Sequence, residues 1–219
     1  GSTGRAEEVL DGVIAVADGS SDPLLHARLL WSQSRLQAGR GDAQTAARSV
    51  RQALAVIEVA EHTAARARAY HLLACIELDR GRPEQALALL RRAVELLDGG
   101  SHVVTRARIR QEEARALALI GRAEEAESIA LQAAECLADA DPVEAGRCHL
   151  LVSGLRSGAG DCKRAIELCE RAVELLAPVP GRHLIDAYGR LAELLEADGR
   201  KDEALDVLKR AVQAQGLLG

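Results

Sequence analysis

The chain has 219 residues, of which 48% are apolar and 28% charged, and its formal net charge is -5. This composition supplies enough apolar residues for a core, and the excess of acids disfavours binding nucleic acid over the whole surface. No run approaches the roughly 18 to 20 apolar residues that a membrane span needs. We therefore expect a cytoplasmic protein with neither a membrane nor a nucleic acid as direct partner.

A fixed interval of 39 to 40 residues runs through the chain and is marked by five glycines. An alanine follows each glycine by five residues, a second alanine follows by twelve, and a small residue precedes it by seven. Such self-similarity at a fixed period indicates a helical-repeat architecture, in which each unit packs on its neighbours. The marking glycines are Gly41, Gly81, Gly121, Gly160 and Gly199.

The first element predicted along the chain is a helix over residues 4–17. The segment that begins at Gly4 resembles the one that begins at Gly121, and its valines fall at the core offsets of a second helix. We therefore expect the chain to open on the second helix of a repeat whose first helix is missing. The valines are Val9, Val13 and Val16.

Five helix pairs are predicted to follow. Apolar residues recur at helical spacing on both sides of each marking glycine, and the glycine suits the left-handed conformation of a helix end. Asp22-Pro23 and Asp141-Pro142 place a capping acid before a proline at the first helical position. The result is a single all-α domain over 1–219 with eleven helices and no sheet, whose repeats span about 22–60, 61–98, 101–138, 141–177 and 181–215.

The last predicted helix, over residues 201–215, carries an apolar stripe of Leu205, Leu208 and Val212. Terminal units of a repeat array normally present a polar outer face. An apolar face there is typical of a surface where a chain self-associates or meets a partner. We expect this stripe to be exposed and the terminal helices to be sites of self-association.

The repeated positions resemble those of the tetratricopeptide repeat family, as in Ala74, Gly81, Ala86 and Ala93. The resemblance covers nearly the whole chain, although the family's usual unit is about 34 residues. The longer period resembles the extended arrays of large bacterial transcriptional regulators and of kinesin light chains. The resemblance implies an α-solenoid of stacked antiparallel helix pairs, wound into a right-handed superhelix with a concave groove.

The same resemblance implies which side chains face the groove. They lie thirteen residues before each marking glycine and three and seven residues further on, which is one helical face. Four of the five leading positions are arginine, which recognises carboxylate and phosphate through paired donors. Alternatively, these arginines are solvated or pair with acids of the neighbouring repeat. The groove candidates are Arg28, Trp31, Arg35, Arg68, His71, Cys75, Arg108, Gln111, Arg115 and Arg147, before the line turns acidic at Asp186 and Glu193.

No pattern in the chain points to catalysis, a cofactor or a metal. The five cysteines form no CxxC pair, and Cys148 and Cys169 fall at core offsets where cysteine acts as a small apolar residue. The paired acids Glu112-Glu113 are expected on a solvated helix face. We therefore predict a protein that is not an enzyme.

Three functional interpretations follow, and the sequence leaves them open. The first is a protein or peptide interaction module, the sensory or assembly region of a larger bacterial regulator, whose partner is acidic. The second is a small-molecule or signalling-peptide sensor that controls an attached effector. The third, which the absence of chemical motifs disfavours, is an enzyme on a helical-repeat scaffold.

Overall fold

The computed structural model describes residues 22–59, 62–97, 102–179 and 181–216, together with position 12. These residues form ten α-helices, and no strand occurs among them. The prediction of an all-α helical-repeat fold is confirmed, while the predicted helix over 4–17 lies outside the described residues. The helices are α1 (Pro23–Gly39), α2 (Ala43–Val59), α3 (Thr63–Asp79), α4 (Pro83–Leu96), α5 (Val103–Leu119), α6 (Ala123–Leu137), α7 (Pro142–Gly158), α8 (Cys162–Leu176), α9 (Arg182–Ala197) and α10 (Lys201–Gly216).

The chain divides into two compact units. Unit 1 covers Gly1–His102 and holds α1 to α4, and unit 2 covers Val103–Gly219 and holds α5 to α10. Within each unit, a helix packs on the next helix of its own pair and on the first helix of the following pair. The prediction of one uninterrupted domain remains a prediction.

A glycine in the left-handed conformation closes the first helix of every pair. Gly81 has φ 70°, and the other four marking glycines have φ between 80° and 84°. At this turn the Gly81 amide donates to the Leu78 carbonyl at 2.9 Å, and the Arg82 amide donates to the Glu77 carbonyl at 2.9 Å. No atom would clash with a Cβ at Gly81, so the backbone conformation alone favours glycine here.

The small residues at fixed offsets lie where helices cross. Ala86 and Ala126, five residues after their glycines, are fully buried. So are Ala74 and Ala114, seven residues before the same glycines. A larger side chain at such a crossing would push the two backbones apart. The repeat pattern therefore identifies the helix contacts correctly.

Two of the predicted helix starts are capped as expected. The Asp22 carboxylate accepts hydrogen bonds from the amides of Leu24 and Leu25, at 2.9 and 3.2 Å. The Asp141 carboxylate accepts from the Glu144 amide at 3.4 Å. Each acid satisfies amides that have no partner inside the helix.

Candidate functional site

In unit 1 the first helices α1 and α3 are in contact, and they bring Trp31 and Arg68 together. The Arg68 guanidinium carbon lies 5.9 Å from the centre of the Trp31 indole ring. Trp31 is 8% exposed, whereas Arg68 is exposed. A cation over an aromatic face at this distance is attracted by the negative face of the ring, so the indole holds the guanidinium at the surface.

The other unit 1 candidates lie on the same two helices. Arg28 and Arg35 are exposed on α1, while His71 and Cys75 are half-buried on α3. Among the described residues, no carboxylate forms an ion pair with Arg28, Arg35 or Arg68. We call these six residues the α1–α3 surface: Arg28, Trp31, Arg35, Arg68, His71 and Cys75.

In unit 2 two of the candidate arginines, Arg108 and Arg147, contact carboxylates of a neighbouring repeat. The Arg108 guanidinium on α5 reaches Asp141, the capping acid of α7, with Nε and Nη2 at 2.8 and 2.7 Å from Oδ2. In the opposite direction, Arg147 on α7 donates to Glu112 on α5 at 3.2 Å. These two ion pairs connect the first helices of consecutive repeats.

Arg115 completes this arrangement. Its Nη1 lies 3.3 Å from the second oxygen of Glu112, and Arg147 also donates to Glu144 at 2.6 Å. Gln111, predicted to line a groove, is only 5% exposed. The alternative that the arginines pair with acids of the neighbouring repeat therefore holds for Arg108 and Arg147.

The expectation that Glu112 and Glu113 lie on a solvated face is wrong. They are 5% and 2% exposed, and guanidinium groups offset the cost of burying their charge. Arg115 and Arg147 contact Glu112, and Arg110 donates to Glu113 at 2.8 Å. The repeat pattern could have indicated that Glu113 is buried, because this residue stands eight residues before its marking glycine. The buried residues Leu73, Val152 and Leu191 occupy the same offset.

Sequence analysis also missed Glu77, a carboxylate that is 1% exposed on α3. Three guanidiniums approach it, from Arg51, Arg80 and Arg82. Arg51 belongs to the preceding repeat, and contacts between neighbouring repeats cannot be read from the spacing along a single helix.

The described residues contain no group of three or more His, Cys, Asp or Glu side chains arranged to hold a metal ion. No disulfide joins the described cysteines, and Cys148 and Cys169 are fully buried as predicted. No helix in the described part of the chain is long and apolar enough to cross a membrane.

Two stretches of the chain match the family models for the tetratricopeptide repeat, residues 66–97 and residues 149–215. The first stretch covers most of α3 and all of α4, and the second covers α8, α9 and nearly all of α10 with most of α7. No curated protein sequence matches the chain significantly.

Several solved structures share the fold at low sequence identity. BtubC (BKLC) from P. vanneervenii has a TM-score of 0.81 and 17% identity, over 99% of this chain and 90% of that one. Nearly identical TPR-like repeats assigned to a kinesin light chain of Podosopora anserina have a TM-score of 0.70 and 20% identity, over 91% and 99%. A Rap protein complexed with Competence and Sporulation Factor has a TM-score of 0.76 and 13% identity, over 94% and 58%.

These likenesses establish the fold, and the two matched stretches contain the glycines and alanines that mark the period. Gly81, Ala86 and Ala93 lie in the first stretch, and Gly160 and Gly199 lie in the second. Residues 66–97 and 149–215 of the chain are therefore tetratricopeptide repeats.

Proposed function

We propose that the chain is the partner-binding region of a larger bacterial regulator and that it holds an acidic protein or peptide segment on first-helix surfaces. The observation that carries this proposal is the Arg68 guanidinium over the Trp31 ring. Together with Arg28 and Arg35, Arg68 gives unit 1 three exposed cations that no described carboxylate neutralises. A partner's carboxylate is a suitable acceptor for such donors.

Within this proposal, unit 2 contributes its own candidates, Arg108, Gln111, Arg115 and Arg147. The guanidiniums of its three arginines are occupied by Asp141, Glu112 and Glu144. A partner at these arginines must compete with carboxylates that are already in place. We therefore expect the larger share of the binding free energy to come from unit 1.

The role in a regulator draws on the long repeat period and on the similarity to the Rap protein, which was solved with Competence and Sporulation Factor. A sensor for a small carboxylate ligand or a signalling peptide is the alternative. Trp31, Arg68 and half-buried His71 would offer such a ligand an aromatic face, a cation and a ring nitrogen. Mass spectrometry of gently purified protein separates the two, since a co-purified small ligand favours the sensor. An enzymatic role has no supporting arrangement among the described residues.

Calorimetry with an acetylated hexaglutamate peptide tests the acidic-partner proposal. We expect Arg68→Gln to weaken binding by about tenfold, the usual effect of losing a charge-assisted contact. The matched control is Arg122→Gln at an inter-helix turn, where Arg122 is paired with Glu125, and it should change affinity little. Affinity should also fall between about 50 and 300 mM salt. Equal affinities of wild type and Arg68→Gln would contradict the proposal.

We further propose that the end of unit 2 supports self-association. The predicted exposure of the apolar stripe is confirmed, with Leu205, Leu208 and Val212 exposed by 54%, 46% and 69%. One repeat earlier the same positions are Ile166, Cys169 and Val173. Ile166 and Cys169 are buried in a cluster that includes Leu191 of the following helix α9. The equivalent positions one repeat earlier are thus covered by a helix. We propose that a helix from a second copy of the chain covers the stripe in the same way.

A further inference from the structure

The buried carboxylate Glu77 is surrounded by more positive charge than it can neutralise. Its side chain is only 2% exposed, and three guanidiniums converge on it. Arg51 Nη2 lies 3.0 Å and Arg80 Nη1 3.1 Å from Oε1, while Arg82 Nη1 lies 3.5 Å from Oε2. We call these three arginines with Glu77 the Glu77 cluster.

The arginines of the cluster reach from the core to the surface. The Arg80 side chain is 20% exposed, but those of Arg51 and Arg82 are 55% and 47% exposed. Arg51 and Arg82 each contact Glu77 through one terminal nitrogen. Each guanidinium has five N–H donors in a planar fork, so donors remain for a second acceptor on the solvent side.

Two other turns, at Gly121 and Gly199, also have an arginine directly after the glycine, and they show how such an arginine is neutralised. Arg122 and Arg200 each form a two-pronged ion pair with the acid three residues later, with Nε to Oε1 distances of 2.6 and 2.7 Å. Those acids are Glu125 and Glu203. At the Gly81 turn the corresponding residue is Gln85, whose neutral amide cannot neutralise Arg82.

The remaining acids around this turn do not replace the missing glutamate. Glu84, in the first turn of α4, is exposed and forms no ion pair within the described part of the chain. Asp79 is exposed at the end of α3, and even counted with Glu77 it leaves three arginines against two carboxylates. No side chain caps α4 at Arg82, so the positive end of the helix adds to this field.

We propose that the Glu77 cluster is a binding site for a phosphate monoester or inorganic phosphate. The dianion lies on the solvent side of Arg51 and Arg82 and accepts hydrogen bonds from both guanidiniums. Glu77 stays beneath them and fixes their orientation. Planar guanidiniums match the geometry of phosphate oxygens, and two cations from different repeats suit a dianion better than a single carboxylate. This site shares no residue with the α1–α3 surface.

The test is an NMR titration at constant ionic strength with inorganic phosphate, and in parallel with a serine peptide in phosphorylated and unphosphorylated form. We expect shifts at Arg51, Arg82 and the Gly81 turn. Gln85→Glu introduces the acid found at the Gly121 and Gly199 turns, keeps every arginine, and should weaken phosphate binding by about tenfold. Arg82→Gln should do the same, while Arg122→Gln is the matched control and should leave affinity unchanged.

The probes also distinguish the source of the phosphate group. Tighter binding of the phosphorylated peptide than of inorganic phosphate identifies a phosphoprotein ligand, and equal binding identifies free phosphate. Equal affinity of wild type and Gln85→Glu for every probe would overturn the proposal, as would shifts spread over all basic surfaces. The unphosphorylated peptide should not bind at this turn, and binding by it would also overturn the assignment.

Discussion

The surroundings of two cysteine thiols keep them in the protonated, unreactive form. Burial raises the pKa of the Cys148 thiol to about 12, with a further contribution from Glu144, and Arg147 opposes both. Burial raises the pKa of Cys169 to about 11. Because the thiolate is the reactive form, both cysteines act as small apolar core residues. Cys136 is exposed on α6, so accessibility distinguishes it from this pair.

Thiol labelling at about pH 8 should therefore be selective. We expect Cys136 to react first with a disulfide reagent, and Cys148 and Cys169 to react only when denaturant unfolds the helices that cover them. Peptide mapping by mass spectrometry identifies the labelled positions. Labelling of Cys148 at the rate of Cys136 in the native protein would show that α7 is not packed as described.

At the scale of a helix, the fully buried alanines are the positions that least tolerate a larger side chain. Ala86 on α4 and Ala126 on α6 are 0% exposed, and each follows its glycine by the same five residues. Replacing either by leucine should lower the free energy of unfolding by about 1–3 kcal/mol through overpacking. Urea denaturation measures this loss. Ala88→Leu is the control for Ala86→Leu, because Ala88 is exposed on the same helix and should tolerate the change.

The helices and their contacts could be predicted because their determinants repeat. A glycine with positive φ and an alanine at a helix crossing recur at fixed offsets, so one repeat predicts the next. Charged contacts between neighbouring repeats do not recur in this way. Glu77 meets Arg51 from the previous repeat, and Arg147 reaches back to Glu112. Such pairs depend on how far long side chains extend across a helix interface, and no offset along one helix encodes that reach.

The candidate site was predictable only in part for the same reason. The phase of the arginines placed Arg68 and Arg108 on corresponding faces. It could not tell that Arg68 would lie over an indole ring while Arg108 would bind Asp141. Both outcomes depend on the neighbouring first helix, which offers Trp31 in one repeat and a capping acid in the other.

At the scale of the molecule, the apolar face of α10 predicts a concentration-dependent assembly. A helix face with three exposed apolar residues gains free energy when a second surface removes it from water. We expect light scattering across a concentration series to show a monomer that converts to a dimer. The double substitution Leu205→Gln and Leu208→Gln should keep the protein monomeric.

Leu119→Gln provides the matched control for this measurement. Leu119 is also exposed, by 58%, but it stands at the end of α5, away from the stripe. Its substitution should leave the dimer intact. A wild-type protein that stays monomeric at every concentration, or a dimer that survives both stripe substitutions, would remove the proposal of self-association.

The shared conformation of the five marking glycines makes the turns interchangeable. A recombination that joins Gly121 to the residue after Gly160 would delete 39 residues, yet it would leave one left-handed turn followed by one second helix. The same holds for an insertion of that length. Gene rearrangement can therefore lengthen or shorten this chain by whole repeats without creating a new kind of turn. An insertion or deletion of a few residues inside a helix would instead rotate its buried alanines out of the helix crossing.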